Sequence, residues 1–596
     1  MDSKNIHTTS STRSSVEESV PVPTDQQSVR NGAVKSTTVY EDEKKADMYT
    51  VDVSADNDLK NVDSKVSDDE DDYVEPPSKF GIFYNKHLRW CHLIMWLIAT
   101  GFLCAAYALQ VPKGYSSENL ILGLIYAWFS LYVFFAHFPT AIVTVPFNFC
   151  VNIIATPIMK FSPMIRQIAY GCLVLAVIIV TIFSLEETET STRVQRLIAL
   201  FGMLVFLGVV FLSSTNHRAV RWNTISGAML LQFLLALFVF RSGAGQSIFS
   251  WLSTFCEGFL GKSYYGTSFV FGAAVADSGS FGVGVLPAVI FFGAVVQVLY
   301  YMGALQWILV RAGKVFMTVL GVSGAESIVA CASPFLGQCE NAMLIRPFLP
   351  HLTTAEMHQI MTSGFATISG SVLYGYIAMG VSGQALLTSC VMSIPCSLAI
   401  SKLRYPEVSE PLTKGEVKMP ESPEKCVNLL HAAGVGASIG MNVALLIIAN
   451  LICLLALLYA VNAGLTWLGN FITIHELTLQ LITGYVFVPI AWLIGADNSD
   501  LVHVGQLMAY KIWANEFVAY DLMTTTYKDL LTPRSTIVCT YALCGFANLG
   551  SVGMQIGVLT TLAPKRGGEI SRLAVSAMIC GAFSTWVSAS IAGMLS

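Results

Sequence analysis

Residues 337–372 read GQCENAMLIRPFLPHLTTAEMHQIMTSGFATISGSV, and residues 515–553 read NEFVAYDLMTTTYKDLLTPRSTIVCTYALCGFANLGSVG. In the first stretch Gly364-Phe365-Ala366-Thr367-Ile368 begins 24 residues after Glu340; in the second, Gly545-Phe546-Ala547-Asn548-Leu549 begins 29 residues after Glu516. The two Glu positions lie 176 residues apart and the two Gly-Phe-Ala triplets 181 apart, so one unit has been duplicated. Each copy pairs a polar hairpin with an apolar helix interrupted by small and polar residues. Such backbone is tolerated at membrane depth only where it lines a cavity or packs inside protein. Spans expected near 355–380, 385–401 and 439–460 put an odd number of crossings between the copies. The repeats are then inverted, the architecture of secondary transporters with a binding site near the bilayer midplane.

The rest of the chain agrees with a membrane setting. Of 596 residues, 54% are hydrophobic and 12% charged, where soluble domains hold roughly 45–50% and about 25%. Residues 1–78 carry 18 acids and 8 bases, so a net charge of −10 sits in a Ser/Thr-rich stretch expected to be a disordered, acidic cytoplasmic tail. It has no apolar core and does not read as a signal peptide. The remaining residues carry a net charge of +5. Simple spans are expected near 91–111, 119–138, 167–184, 197–213, 224–240 and 285–310, about 20 apolar residues each as a bilayer demands. Further spans fall near 385–401, 439–460 and 571–595, broken spans near 355–380 and 534–560, and re-entrant hairpins near 316–350 and 477–530. The fold class is an all-α polytopic membrane protein of about eleven spans. Lys79, Lys86, Arg89, Lys160, Arg166, Arg218, Arg221, Arg311 and Lys314 fall in alternate loops, which places the amino terminus in the cytoplasm. The 14 cysteines sit singly in apolar stretches and read as buried thiols. No Cys or His spacing suits a structural metal, and no cofactor is expected.

An intramembrane carboxylate costs at least ~2.5 kcal/mol on insertion scales, so Glu340 and Glu516 are assigned functional roles. Gln338, Asn548 and Ser551 are placed with them, while Glu326 and Ser327 are read as satisfying hairpin backbone. His351, His358, His431 and His475 read as surface histidines. Two carboxylates, two amides, a hydroxyl and the Phe546 ring suit a neutral, hydroxyl-rich molecule with a flat heterocycle, because carboxylates accept from a diol and amides complement a base edge. That chemistry fits a nucleoside.

At these residues the sequence closely resembles the concentrative nucleoside transporters. The matching stretches are GQCENAMLIRPFLP (337–350), GFATISGSV (364–372), GYVFVPIAWLIG (484–495), NEFVAY (515–520) and CGFANLGSVG (544–553), in the family's order. The similarity runs from about residue 197 to the end; three extra spans within 79–190 resemble the eukaryotic, eleven-span branch, with the transporter core at 191–596. The resemblance implies a homotrimer in the plasma membrane, each protomer a scaffold with a transport domain that moves as an elevator. By the same match Gln338, Cys339 and Glu340 face the base, Glu516, Asn548 and Ser551 hold the ribose hydroxyls, and Val372 and Phe546 form apolar walls. Cys339 replaces the Thr usual in the family, a weaker donor.

The coupling ion turns on Ser333. Sodium-coupled members carry Asn there; proton-coupled members resemble this chain in having Ser. The other matched ion-site positions are Leu336, Thr367 and Ile368. A hydroxyl in place of a carboxamide weakens an oxygen cage for sodium, so proton coupling is expected, with sodium the alternative. Low-dielectric surroundings favour the protonated form of a carboxyl, which makes Glu340 the expected carrier and Glu516 the second choice. One charge moved with a neutral nucleoside draws about 2.3 kcal/mol per 100 mV, a concentration ratio of roughly fifty. No ATP-binding loop of the GxxxxGK[ST] type is present. A membrane-embedded enzyme using the two Glu as acid and base is a more distant alternative, with no nucleophile and base motif to support it. No nucleic-acid partner is expected.

Overall fold

The computed structural model describes residues 87–110, 117–137, 162–188, 191–278, 280–413 and 426–596. The tail at 1–78, with Lys79, Lys86 and Lys160, lies outside them. The described residues are helical, without named strands. Two units separate at residue 142.

The first unit contains α1 (Leu88–Gln110) and α2 (Ser117–His137). They are rich in apolar residues, and hydrogen bonds join them. Trp96 donates from Nε1 to Ser130 Oγ at 3.0 Å, Thr100 and Tyr126 share a hydroxyl bond at 2.8 Å, and the Tyr107 hydroxyl donates to the Asn119 carbonyl at 2.6 Å. Hydrogen bonds of this kind join helices where apolar surface alone gives no preference.

The second unit begins with α3 (Pro163–Ser184), α4 (Arg193–Leu212) and α5 (Trp222–Arg241). Each starts where its sequence says it should: Pro163 sits at the first turn of α3, and Thr192 with Gln195 forms a capping box on α4. α3 buries Val174, Ile178 and Ile182 within the second unit's core. It therefore packs with the core helices, whereas the sequence groups it with the first two accessory spans.

Next come α6 (Gly243–Leu260) and α7 (Ser263–Phe271), helices absent from the expected spans because polar residues interrupt their apolar runs. α8 (Leu286–Tyr301) is shorter than the span expected near 285–310. The chain turns at Met302-Gly303 and restarts as α9 (Ala304–Leu320). The first hairpin is α10 (Gly324–Ala332) and α11 (Gln338–Leu344), joined by Ser333–Gly337. α12 (Thr354–Ala366) and α13 (Gly370–Ala378) are the halves of the first broken helix. α14 (Gly383–Arg404) follows, with Pro395 inside it.

α15 (Leu429–Asn470) has 42 residues, about twice the stretch expected near 439–460. It packs on α8 through Gly293 against Gly436 and Gly440, small residues that bring two backbones together. α16 (Leu479–Leu493), α17 (Leu501–Trp513) and α18 (Glu516–Thr524) form the second helix–turn–helix unit. α19 (Pro533–Leu543) and α20 (Leu549–Leu562) are the second broken helix, and α21 (Gly567–Leu595) closes the chain. α21 is buried along most of its length and contacts α4, α12, α14 and α19, so the core is built around it. Eight helices among the described residues are singly long and apolar enough to cross a membrane; the halves of the broken helices are too short to do so alone.

Two smaller expectations change. His358 is fully buried, with ring nitrogens on Ser401 Oγ at 2.7 Å and Ser576 Oγ at 3.2 Å, so it is a core histidine rather than a surface one. Of the cysteines, Cys390 and Cys580 are buried thiols, but Cys104, Cys172 and Cys453 are exposed.

Candidate functional site

The two broken helices meet at their breaks. Gly545 has φ +151°, a conformation L side chains rarely adopt, and a Cβ there would press on the Phe365 carbonyl. This lets Phe546 donate its backbone N–H to the Thr367 carbonyl at 3.3 Å, tying the GFA segment of one copy to that of the other. Peptide groups freed where α12 and α19 end thus find partners inside the protein, as a dry interior requires.

In the second copy asparagines start the helix after the hairpin turn and the helix after the break. Asn548 caps α20, its Oδ1 accepting from Ser551 N at 2.8 Å; Asn515 caps α18, its Oδ1 accepting from Val518 N at 3.0 Å. Capping uses only the oxygen of Asn548, so its amide Nδ2 is free to donate to Glu516 Oε2 at 2.9 Å. Glu516 Oε1 accepts from the Tyr376 hydroxyl at 3.0 Å. Glu516 is 2% exposed. One carboxylate of the second hairpin is therefore held between α13 of the first copy and α20 of the second. The Tyr376 ring is itself wedged between Phe517, at 4.6 Å, and Tyr520, at 5.0 Å.

On the other side, the Glu340 side chain folds back so closely on Gly337 that a Cβ there would collide with the carboxylate. Gln338 is buried, with Nε2 3.5 Å from the Ser551 carbonyl, and its Oε1 accepts no hydrogen bond among the described residues. A buried amide oxygen left without a donor is costly, and Gln338 is one of the residues that line a cavity.

Gln338, Cys339, Glu340, Val372, Glu516, Phe546, Asn548 and Ser551 all line a single cavity. α15 contributes a mostly aliphatic lining, Val443, Leu446, Ile447 and Leu454, with Asn450 among them. The arrangement sets a carboxylate and amide edge against an aliphatic face, suited to a flat guest with hydroxyls at one end. Sequence reasoning missed Ser369, Ser371, Asn450 and Asn515 on this wall, and Tyr376 behind it. Tyr376 lies four residues after Val372 and so shares its helix face, a signal that was available.

The expected ion-site residues fall into two pairs. Ser333 Oγ donates to the Val329 carbonyl at 2.7 Å, and both Ser333 Oγ and the Leu336 carbonyl accept from Asn341 Nδ2, at 2.9 and 3.4 Å. Thr367 Oγ1 donates to the Ile368 carbonyl at 3.1 Å. The pairs are bridged by Gly370 N, which donates to the Phe335 carbonyl at 3.2 Å. Glu326 satisfies backbone as expected, its Oε2 accepting from Ser323 N at 3.0 Å, and it also pairs through Oε1 with Lys402 Nζ at 2.5 Å. No group of three or more metal-ligating His, Cys, Asp or Glu occurs among the described residues.

Residues 385–593 and 201–274 match the family models described as the C-terminus and N-terminus of the Na+ dependent nucleoside transporter, and residues 282–383 match one described as nucleoside recognition. Sodium/nucleoside cotransporter 1 of Rattus norvegicus is 40% identical over 421 residues, 68% of this chain and 65% of that protein. Solute carrier family 28 member 3 of Homo sapiens is 40% identical over 448 residues, 72% of this chain and 64% of that protein. The chain's match thus spans slightly less than two thirds of each of these relatives. Among solved structures, CNTnw in an inward-facing substrate-bound state aligns with a TM-score of 0.63 at 33% identity, covering 67% of this chain and 97% of that one. A variant of CNTnw in an outward-facing state gives 0.65 at 34% identity, covering 68% and 99%.

Proposed function

The chain belongs to the concentrative nucleoside transporter family, and from that membership we propose that it imports nucleosides across the plasma membrane as a cation-driven symporter. The observation that carries this reading is the convergence of eight side chains from both sequence copies on one cavity, with Glu516 oriented by Tyr376 and Asn548. Glu516, Asn548 and Ser551 are the ribose side of the proposed site. Gln338, Cys339 and Glu340 are the base side, and the unpartnered Gln338 Oε1 is the acceptor for a base N–H. Val372 and Phe546 are the apolar walls. The relatives are transporters by name, so the enzyme alternative falls away.

Sodium is the coupling ion that the relatives' names favour. Protons are the second reading, resting on Ser333, with Glu340 and then Glu516 as carriers. A homotrimer of elevator-type protomers, with inverted repeats and an inward amino terminus, completes the proposal; its alternating access is supported by the likeness to CNTnw in inward- and outward-facing states.

Uptake of labelled uridine in nucleoside-uptake-deficient cells tests it. We expect accumulation of intact nucleoside above the external concentration that collapses when the cation gradient is dissipated. Uridine that only equilibrates, or that is recovered as free base and sugar, would remove the symport reading. Replacing external sodium by choline at fixed pH separates the two ions.

A further inference from the structure

Asn341 follows Glu340 on α11 and is 2% exposed. Its two amide ends are in different situations. Nδ2 sits 2.9 Å from Ser333 Oγ and 3.4 Å from the Leu336 carbonyl. Oδ1 is buried and accepts no hydrogen bond among the described residues. The first situation is well determined by its neighbours. The Ser333 hydroxyl proton is committed to the Val329 carbonyl at 2.7 Å, so toward Asn341 its oxygen is an acceptor only, as the Leu336 carbonyl is. Two lone-pair oxygens converge on one point, and the NH2 group occupies that point. The second situation is unexplained by the protein alone, since buried polar atoms are nearly always paired.

We infer that Asn341 is a reversible ligand of the transported cation: with its NH2 end inward it fills the ion-free site, and turned by half a rotation about Cβ–Cγ it presents Oδ1 to a small monovalent cation held also by Ser333 Oγ and the Leu336 carbonyl. The inference rests on the symport reading and names the ion-selecting residue within it. An inward Oδ1 without a cation would face two oxygens that carry no available proton, which is repulsive. An inward Oδ1 with a cation adds a third oxygen to a set that hard cations prefer. Occupancy and amide orientation are therefore linked. A carboxamide thus reaches Ser333 from eight residues further on, across the hairpin turn. Neither Ser333 nor Asn341 titrates, so this point selects for a metal cation rather than for a proton.

The test uses the full chain purified in detergent, with sodium-induced stabilisation against heat and binding of radioactive sodium as readouts, choline chloride as control, and uridine binding measured alongside. Wild type should be stabilised by sodium. Asn341→Ala should raise the half-saturating sodium concentration at least tenfold, and adding Ser333→Asn to it should restore most of the response by supplying a carboxamide oxygen from the opposite side of the turn. Asn341→Asp, of the same size, should lower that concentration several-fold and serves if Asn341→Ala does not fold. An equal sodium response in wild type, Asn341→Ala and Asn341→Asp overturns the inference. So does a wild type that binds uridine but ignores sodium, and in both cases nucleoside symport stands. A wild type that neither binds nor accumulates uridine removes the symport reading itself.

Discussion

Glu516 is the buried carboxylate of the cavity whose two oxygens are served by different partners. Replacing it with Gln keeps the size but removes the charge that both Tyr376 and Asn548 address. Charge-assisted hydrogen bonds contribute about 1.5–3 kcal/mol each. Glu516→Gln should therefore raise the uridine KM at least tenfold, read from uptake kinetics, while Tyr376→Phe, which removes one of the two donors, should raise it three- to tenfold. A second residue-scale outcome concerns Lys402. Its ammonium lies 2.5 Å from Glu326 and 3.0 Å from Glu407, with Glu326 fully buried. Removing one partner of a buried ion pair strands the other and costs about 3–5 kcal/mol. Lys402→Met should lower the thermal midpoint of the purified protein more than Lys402→Met combined with Glu326→Gln, since the double variant leaves one fewer buried charge.

At the scale of elements, the break in α19–α20 is held open by one conformation. With φ at +151° and the Phe365 carbonyl against its Cα, Gly545 has no room for a methyl group. Gly545→Ala should destabilise by about 1–3 kcal/mol and reduce uridine uptake severalfold at equal surface expression, because the Phe546–Thr367 backbone bond depends on that approach. The duplicated GFA triplets made both broken helices legible from sequence, and with them Gln338, Glu340, Glu516, Asn548 and Ser551 of the cavity lining, because a polar side chain in an apolar run stands out by contrast; Cys339 and Val372 came from the family resemblance. Elements defined by neighbours were not legible in that way. α6 and α7 lack a continuous apolar run, and the end of α8 depends on a turn at Met302-Gly303 that hydropathy does not register. His358 was misplaced because its partners Ser401 and Ser576 are remote in the chain. Asn341 escaped notice because its importance lies in the oxygen it does not pair, which only coordinates reveal.

At the scale of the whole molecule, the acidic segment 1–78 holds a charge of −10 and has the composition of a chain that cannot bury a core. Deleting it should leave uridine uptake per surface-expressed protomer within about twofold of wild type, checked by uptake normalised to surface labelling. The length of α15 carries a different consequence. At 42 residues and about 1.5 Å per residue it measures about 63 Å, against about 30 Å of hydrocarbon. Even leaning by about 40°, the steepest slant usual for such rods, it spans about 48 Å of depth. Its tips must therefore stand clear of the oily slab, and a membrane-impermeant thiol reagent should reach cysteines installed at Leu430 from the inner face and at Phe471 from the outer one. The same rod also carries Val443, Leu446, Ile447 and Leu454 of the cavity lining midway along it, so in the proposed transporter a guest would rest against a pillar whose ends reach water.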